Sequence, residues 1–144
     1  MKTKSIPALV NVADKAFSQF IRHRDSVTWV QNEEGFSIPA GYCVTCSKLT
    51  PTKGVKTGHC GHFIPRGCKL TRFDEQNAAL QCNYCNTYRF GEQYKFGRAI
   101  DQRWGQGTAE RLQKLEQTYK REGYKWQRDE LEALILYYRE KVKS

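Results

Sequence analysis

His59-Cys60-Gly61-His62-Phe63-Ile64-Pro65 and, fifteen residues later, Gln81-Cys82-Asn83-Tyr84-Cys85-Asn86 bound the stretch on which the reading of this chain turns. Within it, His62 stands near the end of a strand expected over 56–64. Asn77 follows, then a Cys-x-x-Cys knuckle with Asn86 directly behind it. A matching knuckle, Cys43-Val44-Thr45-Cys46, lies upstream, with 35 residues between the pairs. Two-residue spacing lets both thiolates of one tight turn approach the same tetrahedral ion, so Cys43, Cys46, Cys82 and Cys85 read as one structural zinc site. The separation exceeds that of a simple zinc ribbon, so a folded insert is expected between the knuckles. The competing reading of a Cys-x-x-Cys is a thiol redox pair. Cys60 and Cys68 are left over. They read either as two small, partly buried thiols or as a second metal cluster with His59 and His62.

Composition limits the possibilities. A chain of 144 residues with 39% apolar content, 8 Tyr, 7 Phe and 3 Trp can bury one small core. No run approaches the roughly 18 apolar residues needed to span a bilayer, so no membrane association is expected. The first eight residues, Met1 to Ala8, lack a continuous hydrophobic stretch, so no signal peptide is expected and the cytosol is the expected compartment. In a reducing compartment six cysteines are not a disulfide framework. Lys and Arg exceed Asp and Glu by 24 to 15, a net charge of +9. The sequence pI is about 9.3. Four zinc-bound thiolates would reduce the charge to roughly +7. Such a balance suits a polyanion, and nucleic acid is the expected partner.

Helical periodicity is strong at both ends. Leu9, Val12, Ala13, Ala16, Phe17, Phe20 and Ile21 form an apolar stripe that predicts a helix over 8–24, its polar face ending in Arg22-His23-Arg24. Residues 31–41 read as a loop and 42–49 as a strand-turn around the first knuckle. Residues 65–74 read as an irregular basic loop and 78–81 as a short strand, with a helix starting at the second knuckle. Further helices are expected over 92–103, over 109–121 capped by Thr108, and over 127–142. The last two, joined at Gly123, suggest an αα-hairpin packing on the core or on a second subunit. The expected class is α+β: one domain with an N-terminal helix, a zinc-bound ββα core over 42–105 and a helical hairpin over 108–143.

Phosphodiester hydrolysis needs a base to activate water, a cation to neutralise the phosphate, and groups that hold the base. His62 is the best candidate base, because an imidazole pKa near 6.5 suits proton abstraction around neutrality. A lone histidine is more often structural, but this one lies between two zinc knuckles.

His62-Phe63-Ile64-Pro65, Asn77 and Cys82-x-x-Cys85-Asn86 together resemble the zinc-containing branch of the HNH (ββα-metal) nucleases. More narrowly, Gly61-His62-Phe63, Thr71-Arg72-Phe73-Asp74-Glu75, Asn77, Gln81-Cys82 and Cys85-Asn86 resemble the phage NinG (Rap) recombination proteins. The resemblance covers roughly residues 8–105. It implies His62 as general base and Asn77 as the residue holding the histidine's loop. Asn86 falls where many such enzymes carry a metal-binding histidine. The chain departs from the pattern at Gly61, which stands where a metal-binding aspartate is usual. His59, on the same strand face, is the candidate replacement ligand, and Asp74 or Glu75 could supply a carboxylate instead. The resemblance implies a catalytic divalent ion, Mg2+ or Mn2+, whereas an imidazole ligand favours manganese, zinc or nickel over magnesium.

Arg66, Lys69, Arg72, Arg89, Lys95 and Arg98 surround this stretch and are candidate phosphate contacts. Tyr84, Tyr88 and Tyr94 interleave with them, as stacking partners for bases or as core. The resemblance implies a metal-dependent endonuclease cutting branched DNA, such as Holliday junctions or D-loops, in a phage-infected or prophage-bearing bacterium. Symmetric cutting of two strands favours a homodimer. A sequence-specific or nicking HNH endonuclease and a non-catalytic zinc-knuckle DNA-binding protein are the alternatives.

Overall fold

In the computed structural model, residues 3–143 are described. Helix α1 spans Ile6–Arg24, slightly longer than its apolar stripe. The Ser5 hydroxyl accepts the Ala8 N–H at 3.2 Å, and Pro7 occupies the first turn, where it loses no helical hydrogen bond. The stripe Leu9, Val10, Ala13, Ala16, Phe17, Phe20 and Ile21 is buried. Its main partner is the far end of the chain. Helix α4 (Arg128–Lys141) runs along α1 and packs Leu131, Ile135 and Tyr138 against it.

Helices α2 (Gln93–Trp104) and α3 (Thr108–Glu122) form a separate pair. Leu112 of α3 is fully buried among Phe96 and Ile100 of α2 and Phe63, the residue after His62. The expected αα-hairpin between the last two helices is therefore corrected. Each has its own apolar stripe and a different complement, so α3 docks on α2 while α4 crosses to α1. Thr108 is the first residue of α3 rather than its cap, which is Gly107.

Of the loop expected over 31–41, only residues 32–36 are a turn, and the rest is strand. Strands β1 (Thr28–Gln31) and β2 (Ser37–Tyr42) form an antiparallel hairpin, and β3 (Leu49–Pro51) completes a three-stranded sheet in the order β1-β2-β3. Asn32 drives the turn, its side-chain oxygen accepting the N–H groups of Glu34 (3.0 Å) and Phe36 (2.9 Å). Gly35, Pro39 and Gly41 read as breakers in sequence but are accommodated within the hairpin.

Strands β4 (His59–His62) and β5 (Ala78–Gln81) form the second sheet, antiparallel, with His59 opposite Gln81 and His62 opposite Ala78. β4 is shorter than the expected 56–64. After β5 the second knuckle continues as a π-helical turn, Tyr84–Tyr88, and not as the start of a long helix. Phe90, Gly91 and Glu92 then adopt positive φ in succession, which redirects the chain into α2.

Asp25 joins the layers. This buried carboxylate accepts the Leu80 N–H of β5 at 2.9 Å and pairs with Arg24 (2.8 Å) and Arg103 (2.7 Å). Burial alone would raise its pKa, but the two guanidinium groups and the amide hold it below the usual carboxylate range. Among the described residues, no helix is long and apolar enough to cross a membrane.

Candidate functional site

The two knuckles converge. The first turns tightly, with the Ser47 N–H donating to the Cys43 carbonyl at 2.8 Å and Ser47 itself at φ +66°. The Val44 N–H donates to the Leu80 carbonyl at 2.9 Å, fixing this knuckle on β5 beside the second one. There the Cys85 N–H donates to the Cys82 sulfur at 3.5 Å. As a result the sulfurs of Cys43, Cys46, Cys82 and Cys85 all lie within 4.8 Å of one another, Cys46 and Cys82 being 3.7 Å apart. A tetrahedral ion with zinc–sulfur bonds of about 2.3 Å holds its ligands about 3.8 Å apart, so the four cysteines fit a structural zinc. Burial alone would raise the Cys43 thiol, but the Thr45 hydroxyl and backbone N–H donors bring it down to about 6. Desolvation pushes Cys46 up to about 12. Held as four thiolates at this spacing, the cysteines would need a cation among them.

The second sheet carries His62 on its α1 side, half-buried, with its ring 6.0 Å from that of Phe17. His62 Nε2 lies 3.0 Å from the Arg72 carbonyl oxygen. A carbonyl only accepts, so Nε2 carries the hydrogen and Nδ1 keeps its lone pair. Burial brings the imidazole pKa down to about 4, against the opposing pull of the Arg72 carbonyl. The ring is therefore neutral throughout the physiological range.

Asn77 is fully buried and holds the connection between β4 and β5. Its side-chain oxygen accepts the Ile64 N–H at 2.8 Å, and its amide donates to the carbonyls of Ile64 (3.0 Å) and Thr71 (3.1 Å). Since Arg72 follows Thr71 directly, this anchor positions the carbonyl that orients His62.

His59 and Asn86 meet across 27 residues. The Asn86 amide donates to His59 Nδ1 at 2.9 Å. Both line a cleft of about 630 Å³ that also holds His62, Asp14, Arg22 and Arg66. In this arrangement His59 Nδ1 is occupied and Nε2 carries the hydrogen, leaving the Asn86 oxygen as the pair's donor to an ion. With the amide turned over, Nδ1–H faces that oxygen and Nε2 becomes a donor. With the amide nitrogen on Nδ1 the pair offers an ion only the Asn86 oxygen; with the oxygen there it offers Nε2 and that oxygen's second lone pair.

Gly61 is closed to any substitute ligand. A Cβ at this position would lie 2.9 Å from the Gln81 Cβ and closer still to the Gln81 Oε1. The Gln81 amide donates to Thr45 (3.0 Å) and to the Gly91 carbonyl (2.8 Å), while its buried oxygen has no hydrogen-bond partner among the described residues. The two alternative carboxylates are also committed elsewhere. Asp74 pairs with Arg111 at 3.1 Å, and Glu75 accepts the Tyr138 hydroxyl at 3.1 Å. Neither acid is therefore free to accompany His59 and Asn86, and Asp14, a carboxylate lining the same cleft, is bound to Arg72. Magnesium prefers hard oxygen ligands, usually carboxylate and phosphate, so this donor set does not fit a preformed magnesium site.

The basic residues divide. Lys95 and Arg98 are exposed, and Arg66 is exposed at the cleft rim. Arg89 is paired with Glu92 on the surface. Arg72, another candidate phosphate contact, has its guanidinium bound by both carboxylate oxygens of Asp14 and 5.5 Å from the Trp126 ring. Lys69 is half-buried, its ammonium 5.1 Å from the same ring. Tyr84, Tyr88 and Tyr94 are all exposed. The reading of Cys60 and Cys68 as a second metal cluster is not met: among the described residues the four-cysteine group is the one such cluster. Cys60 packs on the α1 layer, its thiol pushed up to about 12 by burial, and Cys68 lies in the Phe63–Phe96 core. Sequence reasoning missed Asp14, which is 48 residues from His62, and gave Arg22 no role in the cleft. Their positions on the polar side of α1, one turn apart from buried stripe residues, were the available signal.

The chain is a small α+β domain with, at one end of its second sheet, four cysteines able to hold a metal ion and a histidine-lined cleft beside them. The family model described as "Bacteriophage Lambda NinG protein" matches residues 1–144, and the chain belongs to the NinG family. It is 27% identical over 136 residues to "Protein ninG" of Escherichia phage 933W, covering 94% of this chain and 57% of that protein. It is 26% identical over 136 residues to "Protein ninG" of Salmonella phage P22, covering 94% of this chain and 56% of that one. The chain therefore spans a little over half the length of these curated relatives. No solved structure matches it.

Proposed function

We propose that this NinG-family chain is a DNA endonuclease with a zinc-held HNH-type (ββα-metal) centre, cutting branched DNA such as Holliday junctions or D-loops. The observation that carries the reading is His62: a neutral imidazole in a cleft, with Nε2–H spent on the Arg72 carbonyl and the Nδ1 lone pair left to take a proton from water. Asn77 acts as a positioning residue, because it secures the segment bearing that carbonyl. Arg22 and Arg66 line the same cleft and supply positive charge for a phosphate, Arg66 at 3.8 Å from Asp14. The divalent ion expected for this chemistry would find at least one donor in the His59–Asn86 pair, and no step is assigned to it. The branch preference and a dimer that cuts two strands are carried by family resemblance alone.

Purified protein should nick or cut a four-way junction in the presence of manganese or magnesium, and His62→Ala should reduce the rate at least about 100-fold. Equal cutting of linear duplex would sink the branch preference and favour a sequence-specific or nicking HNH endonuclease. The crowding of Gly61 by Gln81 favours a second reading, a zinc-knuckle DNA-binding protein without catalysis. Tight junction binding with no cleavage under any divalent metal would establish it.

A further inference from the structure

Four of the exposed large apolar side chains fall within eleven residues: Tyr84 (58% exposed), Tyr88 (67%), Phe90 (86%) and Tyr94 (78%). The Tyr84 and Tyr88 rings lie 6.0 Å apart and 32° from parallel on the π-helical turn. Phe90 sits in the left-handed region at φ +52°, which bulky residues rarely adopt, and its neighbours Gly91 (+85°) and Glu92 (+50°) do the same. A backbone disfavoured for this residue and a ring left almost wholly in water are both unfavourable for the isolated chain. The ring gains no packing from either.

The position of this row is specific. Phe90, Thr87 and Asn86 line the same cleft as His59 and His62. Its other side is basic. Lys95 and Arg98 are exposed, the Arg98 guanidinium lies 5.9 Å from the Tyr94 ring, and Arg89 and Glu92 cancel one another as a pair. Exposed rings interleaved with cations fit a strand that offers both base faces and phosphates, and every base has a face on which an aromatic ring can stack. In a paired duplex those faces are covered by neighbouring bases.

We infer that Tyr84, Tyr88 and Phe90 form a stacking surface for unpaired bases beside the cleft, with Lys95 and Arg98 holding the adjoining phosphates. The surface selects single-stranded or branched DNA over perfect duplex. The inference rests on the DNA-handling part of the proposed function and not on cleavage.

The test is fluorescence anisotropy in buffer free of magnesium and manganese, so that binding alone is read. The probes are a 20-nucleotide single strand, a junction with unpaired bases at its centre, and a perfect duplex, all at one salt concentration. The unsubstituted protein should bind the first two roughly 10-fold or more tighter than duplex. Tyr88→Ala with Phe90→Ala should weaken single-strand binding at least about 10-fold and leave duplex binding within about twofold. Arg98→Ala should weaken all three probes together. For the Tyr88→Ala, Phe90→Ala variant, an equal loss on every probe, or no loss, overturns the inference. A second readout needs no variant: 2-aminopurine in the single strand should be quenched on binding, and unchanged emission overturns it as well. Stacking without cleavage keeps this inference and removes the nuclease reading; cleavage without stacking does the reverse.

Discussion

Gln81 fills the space beside Gly61, the two lying diagonally across β4 and β5, so a Cβ at position 61 would be 2.9 Å from the Gln81 Cβ. This contact leaves no room at position 61 for the acidic residue that the HNH pattern carries before its histidine. The neighbouring strand already occupies its place, and the Gln81 amide is tied to Thr45 of the first knuckle. Gly61→Asp should therefore lose about 1–3 kcal/mol of stability by overcrowding and gain no affinity for magnesium. Urea denaturation and calorimetric titration of the metal check the two halves. A variant as stable as the parent that binds magnesium would refute the relationship.

Asn77 satisfies three backbone groups at once, with no exposure to water. Asn77→Ala should cost more than about 3 kcal/mol, because each orphaned buried group costs about 1–3 kcal/mol. Asn77→Asp should be worse still, since it sets a carboxylate against the Ile64 and Thr71 carbonyls. If Asp is tolerated better than Ala in thermal unfolding, the hydrogen-bond assignment is wrong.

Asp25→Ala removes the partner of Arg24, which is itself largely buried and donates to the carbonyls of Glu75 and Ala78. Leaving that charge unpaired and the Leu80 N–H unsatisfied should destabilise the fold by about 3–5 kcal/mol. Chemical denaturation at neutral pH gives the value. A change below 1 kcal/mol would mean the carboxylate does not hold β5 to the end of α1.

Zinc should co-purify with the protein in a ratio of about one per chain. Cys82→Ser or Cys85→Ser should abolish that stoichiometry and the cooperative thermal transition together, since ligand binding and folding are coupled in small metal sites. Elemental analysis beside circular dichroism makes the comparison. A folded variant free of zinc would show that hydrogen bonds alone hold the knuckles.

Burial keeps His62 at about 4 in the folded protein against about 6.5 when unfolded. Between those values the unfolded chain binds a proton that the folded one does not. Stability from this group is thus full above pH 6.5 and is lost as pH falls toward 4, by an amount of the order of 3 kcal/mol. His62→Gln keeps a donor for the Arg72 carbonyl but does not titrate. The variant should lose less stability than the parent between pH 7 and pH 4.5, measured by urea midpoints; parallel curves would contradict the buried, neutral histidine.

Much of the architecture was readable before any coordinates. The stripes Leu9 to Ile21 and Leu131 to Tyr138 mark helices because apolar side chains spaced three and four apart must share a buried face. The paired knuckles mark a metal cluster because thiolates two residues apart can reach a common ion. The hairpin over 28–42 was obscured by Pro39, Gly35 and Gly41, whose local preferences are overruled by the Asn32 turn and by pairing along β2. Arg72 looked like a surface cation because its charge is visible in sequence, while its partner Asp14 is 58 residues away.

The helical stripes, the four paired cysteines and the candidate base are all legible in the chain, since each follows from residue type and local spacing. Which groups meet is a matter of the folded arrangement: His59 with Asn86, Gln81 with Gly61, Asp14 with Arg72, α4 with α1. Those pairings depend on how separate segments share limited buried volume and satisfy each other's charges. No local pattern encodes that competition.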